Sequence, residues 1–221
     1  MRKFFAAFIV SFFVLAASGQ DAVMSSWPYL YPEFAQGTVL MKDGKQYERE
    51  LNIHVSKGRL HFIDGGNIKE ADSDDIALVE LNGDRFTGLD GNVVKVVGDL
   101  EKGYVAVRTS IDYQKMNETD GPYGTKVDAG ATLTMTTFDL TGVSSSYTEL
   151  QRNRNEGVQL PLKNDYYLVA GGKVINASKK AVENSLDAAG KAAFKTYQKQ
   201  NKIKWQDSGS LLLLLDFLNG Q

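Results

Sequence analysis

The sequence contains no cysteine, four prolines and two histidines in 221 residues. Without cysteine there is no thiol nucleophile, no thiolate metal site and no dithiol redox chemistry. Exported eukaryotic proteins of this size often carry disulfides, so their absence favours a bacterial envelope protein. No basic stripe is present, and the formal net charge is −2, which makes nucleic acid an unexpected partner. There is no Gly-x-Ser-x-Gly elbow, His-Glu-x-x-His, phosphate loop or dinucleotide fingerprint. No catalytic residue and no cofactor follows from the motifs, and the reading leans away from an enzyme.

What the chain does have begins with residues 1–19. Arg2 and Lys3 precede the uncharged run FFAAFIVSFFVLAA, and Ala17-Ser18-Gly19 supplies the small residues that a signal peptidase reads. The run is shorter than the ~20 residues of a bilayer-spanning helix. A cleaved signal peptide is expected, with the mature chain in the periplasm or at the surface of a Gram-negative bacterium and without a transmembrane span. Loss of Arg2 and Lys3 takes the formal charge to about −4.

Residues 20–36 form an aromatic segment containing Trp27, Tyr29, Tyr31 and Phe34, with Pro28 and Pro32 between them. Two prolines so close forbid a helix and favour extended chain. The rings have two readings: an exposed partner-binding platform, to which Tyr123 further along could contribute, or a dock for the N-terminus against a sheet.

Residues 37–177 alternate with a period of two, and turn signals recur every eight to twelve residues. Asp43-Gly44, Gly65-Gly66, Asn82-Gly83, Asp90-Gly91 and Gly171-Gly172 all suit tight hairpins. Such punctuation predicts an antiparallel meander or partly closed barrel. The polar, glycine-rich stretch 114–130 reads as a loop, and strand character resumes over 132–138. From residue 178 to 221 the period becomes helical. Ser178, Asp187 and Asp207 or Ser208 are candidate N-caps, and Asn201 a stop. Leu211 to Leu215 has no polar side, so the last helix must bury against the sheet or a partner. The fold class expected is α+β, with two to three C-terminal helices packed on the β region as one domain.

His54 and His61 flank Lys57-Gly58. A two-residue turn there would oppose His54 to His61 and gather Leu51, Ile53, Val55, Leu60 and Phe62 on the other face. The pair would then lie on the polar, solvated side, close enough to share a metal ion or alter each other's protonation. Zinc takes three or four protein ligands, however, and no third is identifiable. Asp72-Ser73-Asp74-Asp75 lacks the glycine and distal glutamate of a calcium loop and reads as a turn before Ile76.

The stretches Gly37-Thr38-Val39-Leu40-Met41-Lys42-Asp43-Gly44, Leu51-Asn52-Ile53, Leu60-His61-Phe62-Ile63-Asp64 and Val79 to Phe86 resemble a loosely defined group of uncharacterised exported proteins from Gram-negative bacteria. There a G-x-V-x-L-x-D-G hairpin precedes an L-N-Y strand, an F-I-D strand and a V-x-I-G-D-R-x-F segment. Ile53 stands here where tyrosine is usual, and Leu81-Asn82 replaces the later isoleucine. The group has no assigned activity, so the resemblance implies fold and location alone. The function expected is a non-enzymatic exported module binding an envelope protein or polysaccharide. The alternative is a small-ligand or metal sensor built on His54 and His61.

Overall fold

A computed structural model describes residues 24–25, 27–120, 126–128, 146–152, 154 and 160–220. Residues 1–19, read above as a signal peptide, Tyr123 and the strand expected over 132–138 lie outside these residues.

In chain order the strands are β1 (Met24–Ser25), β2 (Ala35–Met41), β3 (Gln46–His54), β4 (Arg59–Asp64), β5 (Asn67–Glu70), β6 (Ile76–Leu81), β7 (Asp84–Leu89), β8 (Asn92–Asp99), β9 (Gly103–Ile111), β10 (Glu118–Asp120), β11 (Lys126–Asp128), β12 (Leu160–Ala170) and β13 (Lys173–Asn176). The helices are α1 (Tyr113–Asn117), α2 (Tyr147–Arg152), α3 (Lys179–Ser185), α4 (Ala188–Gln200) and α5 (Ser208–Asn219). The described residues are therefore mainly β, with the longer helices at the C-terminal end. Part of the stretch read as a loop is ordered into α1 and a small hairpin of β10 with β11.

The main sheet is antiparallel and runs β1-β12-β9-β8-β7-β6-β2-β3-β4-β5, with β13 also on β12. It is not one simple meander. β2 pairs with β3 on one side and β6 on the other. Two meanders, β2 to β5 and β6 to β9, thus grow outwards from a shared centre. The sheet curls, and Val93 N–H of β8 donates to Gly58 O in the β3–β4 turn at 2.7 Å. Among the described residues the curl does not close into a barrel. One outer strand, β5, has only four residues, and Ser146 bridges to its Asn67. At the other end β1 and β13 both lie on β12, and the chain leaves β13 for Ser178 and α3.

Four tight turns form as their sequences require. Asn82-Gly83 and Asp90-Gly91 each take positive φ at both positions, as do Gly65-Gly66 and Gly171-Gly172, which suits the twist of the strands they join. Lys57-Gly58 departs from the expectation. Gly58 has a φ of 63°, while Lys57 is not among the residues with positive φ, because lysine lacks the left-handed tolerance of asparagine, aspartate or glycine. The loop therefore widens to Val55–Gly58, and His54 opposes Arg59 while His61 opposes Asn52. This register is shifted by an even number, so the apolar set keeps its face.

The concave side carries two cores. One joins Val39, Leu51, Ile53, Leu60, Val79 and Phe86. The other packs Val105 and Leu168 of the sheet beneath Val182, Phe194, Leu211 and Leu214 of the helices. Ser178, Asp187 and Asp207 cap α3, α4 and α5 by accepting from Ala181, Gly190 and Ser210 N–H respectively, and Asn201 ends α4. In the leucine run, Leu211, Leu214 and Leu215 are buried, whereas Leu213 is 64% exposed. Spacings of three and four residues thus select the sheet-facing side. No helix among the described residues is long and apolar enough to cross a membrane.

Candidate functional site

Residues 27–34 form a strap that continues β2 in a broken line. Ala35 opposes Leu51, but Tyr29 opposes His54, so part of the strap loops out between the two pairings. Asn52, fully buried, fills the break: its Oδ1 accepts from Tyr31 N–H at 3.1 Å, and its Nδ2 donates to Tyr31 O and Glu33 O at 2.8 and 3.0 Å. Leu30 N–H donates to Ile53 O, and Val55 N–H to Pro28 O. Alternation sends Tyr29 to one face of the sheet and Leu30 to the other, and the break in the strap brings Tyr31 to the cleft beside Leu30 instead of back to the Tyr29 side.

On the Tyr29 side the strap covers the histidines, which overturns their expected place on a solvated face: His54 is fully buried and His61 is 2% exposed. The Tyr29 ring lies 5.2 and 5.5 Å from the two imidazoles and 4.9 Å from Phe34, each in an edge-on arrangement. Tyr29 Oη is 2.9 Å from His61 Nδ1, and His61 Nε2 is 3.2 Å from Glu70 Oε2. Lys57 N–H donates to His54 Nδ1 at 3.3 Å, while His54 Nε2 is buried without a partner. Burial pushes His54 down to about 3, helped by the neighbouring His61 and Lys57 charges. Burial also holds His61 below its ordinary value, against the hydrogen bond and charge of Glu70. Burial above all, with the Glu70 charge, pushes the Tyr29 hydroxyl up. Both imidazoles are therefore neutral at pH 7, and the tyrosine stays protonated.

This cluster is poorly suited to a metal ion. His61 has both ring nitrogens engaged, so a metal would have to displace Tyr29 or Glu70. Among the described residues no group of three or more His, Cys, Asp or Glu is placed to hold one. Of the four residues read as a partner-binding platform, Trp27 is 7% and Tyr29 3% exposed, and Arg154 covers the Trp27 ring at 4.8 Å. Those two rings pack inward with Phe34 and Ile68. Tyr31, half-buried, is the one of the three described residues that reaches a recess, and Tyr123 lies outside the described residues.

That recess is a cleft of about 330 Å³ between the two concave cores, near the lower end of the ~300–1,000 Å³ typical of small-molecule sites. Its floor is aliphatic, with Ile53, Val55, Val93, Val97 and Val107. Its polar residues come from six places in the chain: Tyr31 of the strap, Asp84 of β7, Lys95 of β8, Thr109 of β9, Asn164 and Tyr166 of β12, and Ser208 of α5. Asp84 is gripped from both sides. Lys95 Nζ lies 2.7 Å from Oδ1, and Tyr31 Oη–H donates to Oδ2 at 2.7 Å. Burial pushes Asp84 up, but the hydrogen bonds from Lys95 and Tyr31 outweigh it and hold the carboxyl below its ordinary range. Across the strands, Thr109 Oγ1–H donates to Asn164 Oδ1 at 2.7 Å.

Asp84 and Lys95 were not among the candidates read from the sequence. One signal was present: Lys95 interrupts the valine run Val93 to Val97 on the same parity as Val93 and Val97. A lysine on the inward parity of a strand needs a partner. Naming that partner requires the β7–β8 register, in which Phe86 opposes Lys95 and Asp84 lies diagonally beside it.

Comparison of the chain with protein-family models, with curated proteins and with solved structures finds no match.

Proposed function

We propose that the protein is a non-enzymatic exported module of the cell envelope that binds a polymer partner, one unit of which seats in the Asp84–Lys95 cleft. The observation that carries this reading is the cleft itself: an aliphatic floor between two cores, with hydrogen-bonding groups converging from the strap and four strands. Convergent polar groups over an apolar base are the ordinary construction of a binding site.

Two features support binding over catalysis. Asp84 is ionised and fixed by Lys95 and Tyr31, so it is a poor proton donor near neutral pH. The imidazoles, the usual proton shuttles, face the opposite side of the sheet and are neutral and sealed by the strap. Export rests on the character of residues 1–19.

The absence of cysteine provides a direct test. A Thr109→Cys variant of the mature chain carries one thiol, at the cleft wall, for an environment-sensitive fluorophore. The label is expected to respond to an extract of the native envelope, and Lys95→Met in the same background is expected to suppress that response. A Tyr47→Cys label, away from the cleft, should stay silent. Equal responses at both positions, or a Thr109→Cys response untouched by Lys95→Met, would remove the cleft from the account.

A further inference from the structure

The polar walls of the cleft restrict the chemistry of its occupant. Resting on the binding reading above, we infer that the cleft takes an uncharged polyhydroxylated ring: a neutral sugar unit, free or at the end of a glycan.

The first reason is charge balance. The cleft walls carry one carboxylate and one ammonium, and these neutralise each other at 2.7 Å. An anion approaching Lys95 must sit beside Asp84, and a cation approaching Asp84 must sit beside Lys95. Either ligand meets a like charge at the distance where it gains the opposite one. An uncharged ligand escapes that conflict.

The second reason is the mixture of donors and acceptors. Lys95 has three N–H donors, of which Asp84 takes one, and each Asp84 oxygen keeps acceptor capacity beyond its bond to Lys95 or Tyr31. Asn164 accepts from Thr109 through Oδ1, leaving its amide nitrogen to donate. Walls that offer both roles side by side match hydroxyl groups, which donate and accept at one atom. A purely apolar ligand would instead strand these groups without partners, at a cost in binding.

The third reason is the floor. Val93, Val97 and Val107 contribute aliphatic surface to a cleft that the Phe86 and Tyr166 rings also line. A sugar ring has a C–H face to lay on such a floor while its hydroxyls reach the walls. A cleft of about 330 Å³ holds a small unit and not a long chain.

The test is isothermal titration calorimetry on the mature chain at pH 7. Glucose, galactose and N-acetylglucosamine, with their short oligosaccharides, are set against glucuronate, galacturonate and glucosamine. Neutral sugars are expected to bind about tenfold or more tightly than the charged ones. Asn164→Ala, at an exposed position that folding should tolerate, is expected to weaken the neutral sugars by about tenfold. Lys95→Met is expected to do at least as much, with its fold checked by circular dichroism. Binding by the oligosaccharides alone identifies a polymer end, and binding by the monosaccharides a free sugar. Charged sugars that bind as well as neutral ones would overturn the inference. So would silence from every sugar while the Thr109→Cys label still answers to envelope extract, and in that case the cleft reading survives. Silence in both experiments would sink the two together.

Discussion

The imidazole rings of His54 and His61 lie 5.0 Å apart between centroids, tilted by 39°, although the two residues are not opposed in the β3–β4 ladder. Their closeness comes from a diagonal relation across the hairpin, and their burial from the Tyr29 ring laid over both. The strap that seals them also carries Leu30 and Tyr31 to the cleft on the opposite side. One short segment thus closes a neutral histidine pair and builds a wall of the cleft.

That arrangement makes stability depend on pH. Both histidines titrate below the ordinary ~6.5 when folded, His54 at about 3. As pH falls through 6.5 the unfolded chain takes up protons that the folded chain refuses. The stabilisation is complete above that pH and is lost as pH falls towards 3, at a limit of about 1.4 kcal/mol per unit from His54 alone. The groups facing the pair are Tyr29 of the strap, Lys57 of the turn and Glu70 of β5, and only the Glu70 carboxylate favours a protonated ring. The melting temperature is expected to fall steadily from pH 7.5 to pH 5, and His54→Leu is expected to flatten the fall. An unchanged slope in that variant would show that the pair is not its source.

Asn52 holds the strap through three hydrogen bonds to Tyr31 and Glu33 backbone groups. Asn52→Ala leaves those groups without their partner at a fully buried position, and is expected to cost about 2–4 kcal/mol in urea denaturation. Asn52→Asp should be nearly as damaging, because a carboxylate cannot donate to the two carbonyls. A loss below about 0.5 kcal/mol for Asn52→Ala would show that the strap is held by its rings alone.

The leucine run separates two neighbours by environment. Leu214 is fully buried under the sheet, whereas Leu213 is 64% exposed. Leu214→Ala is expected to destabilise by about 3 kcal/mol, and Leu213→Ala by less than about 0.5 kcal/mol. Similar losses at both positions would mean that Leu213 meets a partner in solution.

Features set by neighbours in sequence were legible in advance. Asn82-Gly83 and Asp90-Gly91 announce their turns because positive φ is a local property. Ser178, Asp187 and Asp207 announce their helices because a cap reaches only three residues onward. Features set by distant pairing were not legible. Nothing local says that β6 returns to β2, so the open sheet with two outward meanders looked like one meander or a partly closed barrel. The histidines looked solvated because β3 and β4 alternate cleanly, and the cover arrives from Tyr29, which precedes His61 by 32 residues. Asp84 and Lys95 meet only through the β7–β8 register, and Tyr31 joins them only once Asn52 has fixed the strap.

The central claim, a ligand seated between the two cores, is tested most directly by amide chemical-shift mapping on isotopically labelled protein spanning residues 20–221. Short fragments released from the polymers of the native envelope would be titrated against it. The largest shifts are expected at Asp84, Lys95, Val107, Thr109 and Tyr166, which line the cleft on four adjacent strands. Shifts gathered instead around Tyr47 or Leu213 on the outer surface, with the cleft residues unmoved, would contradict the account.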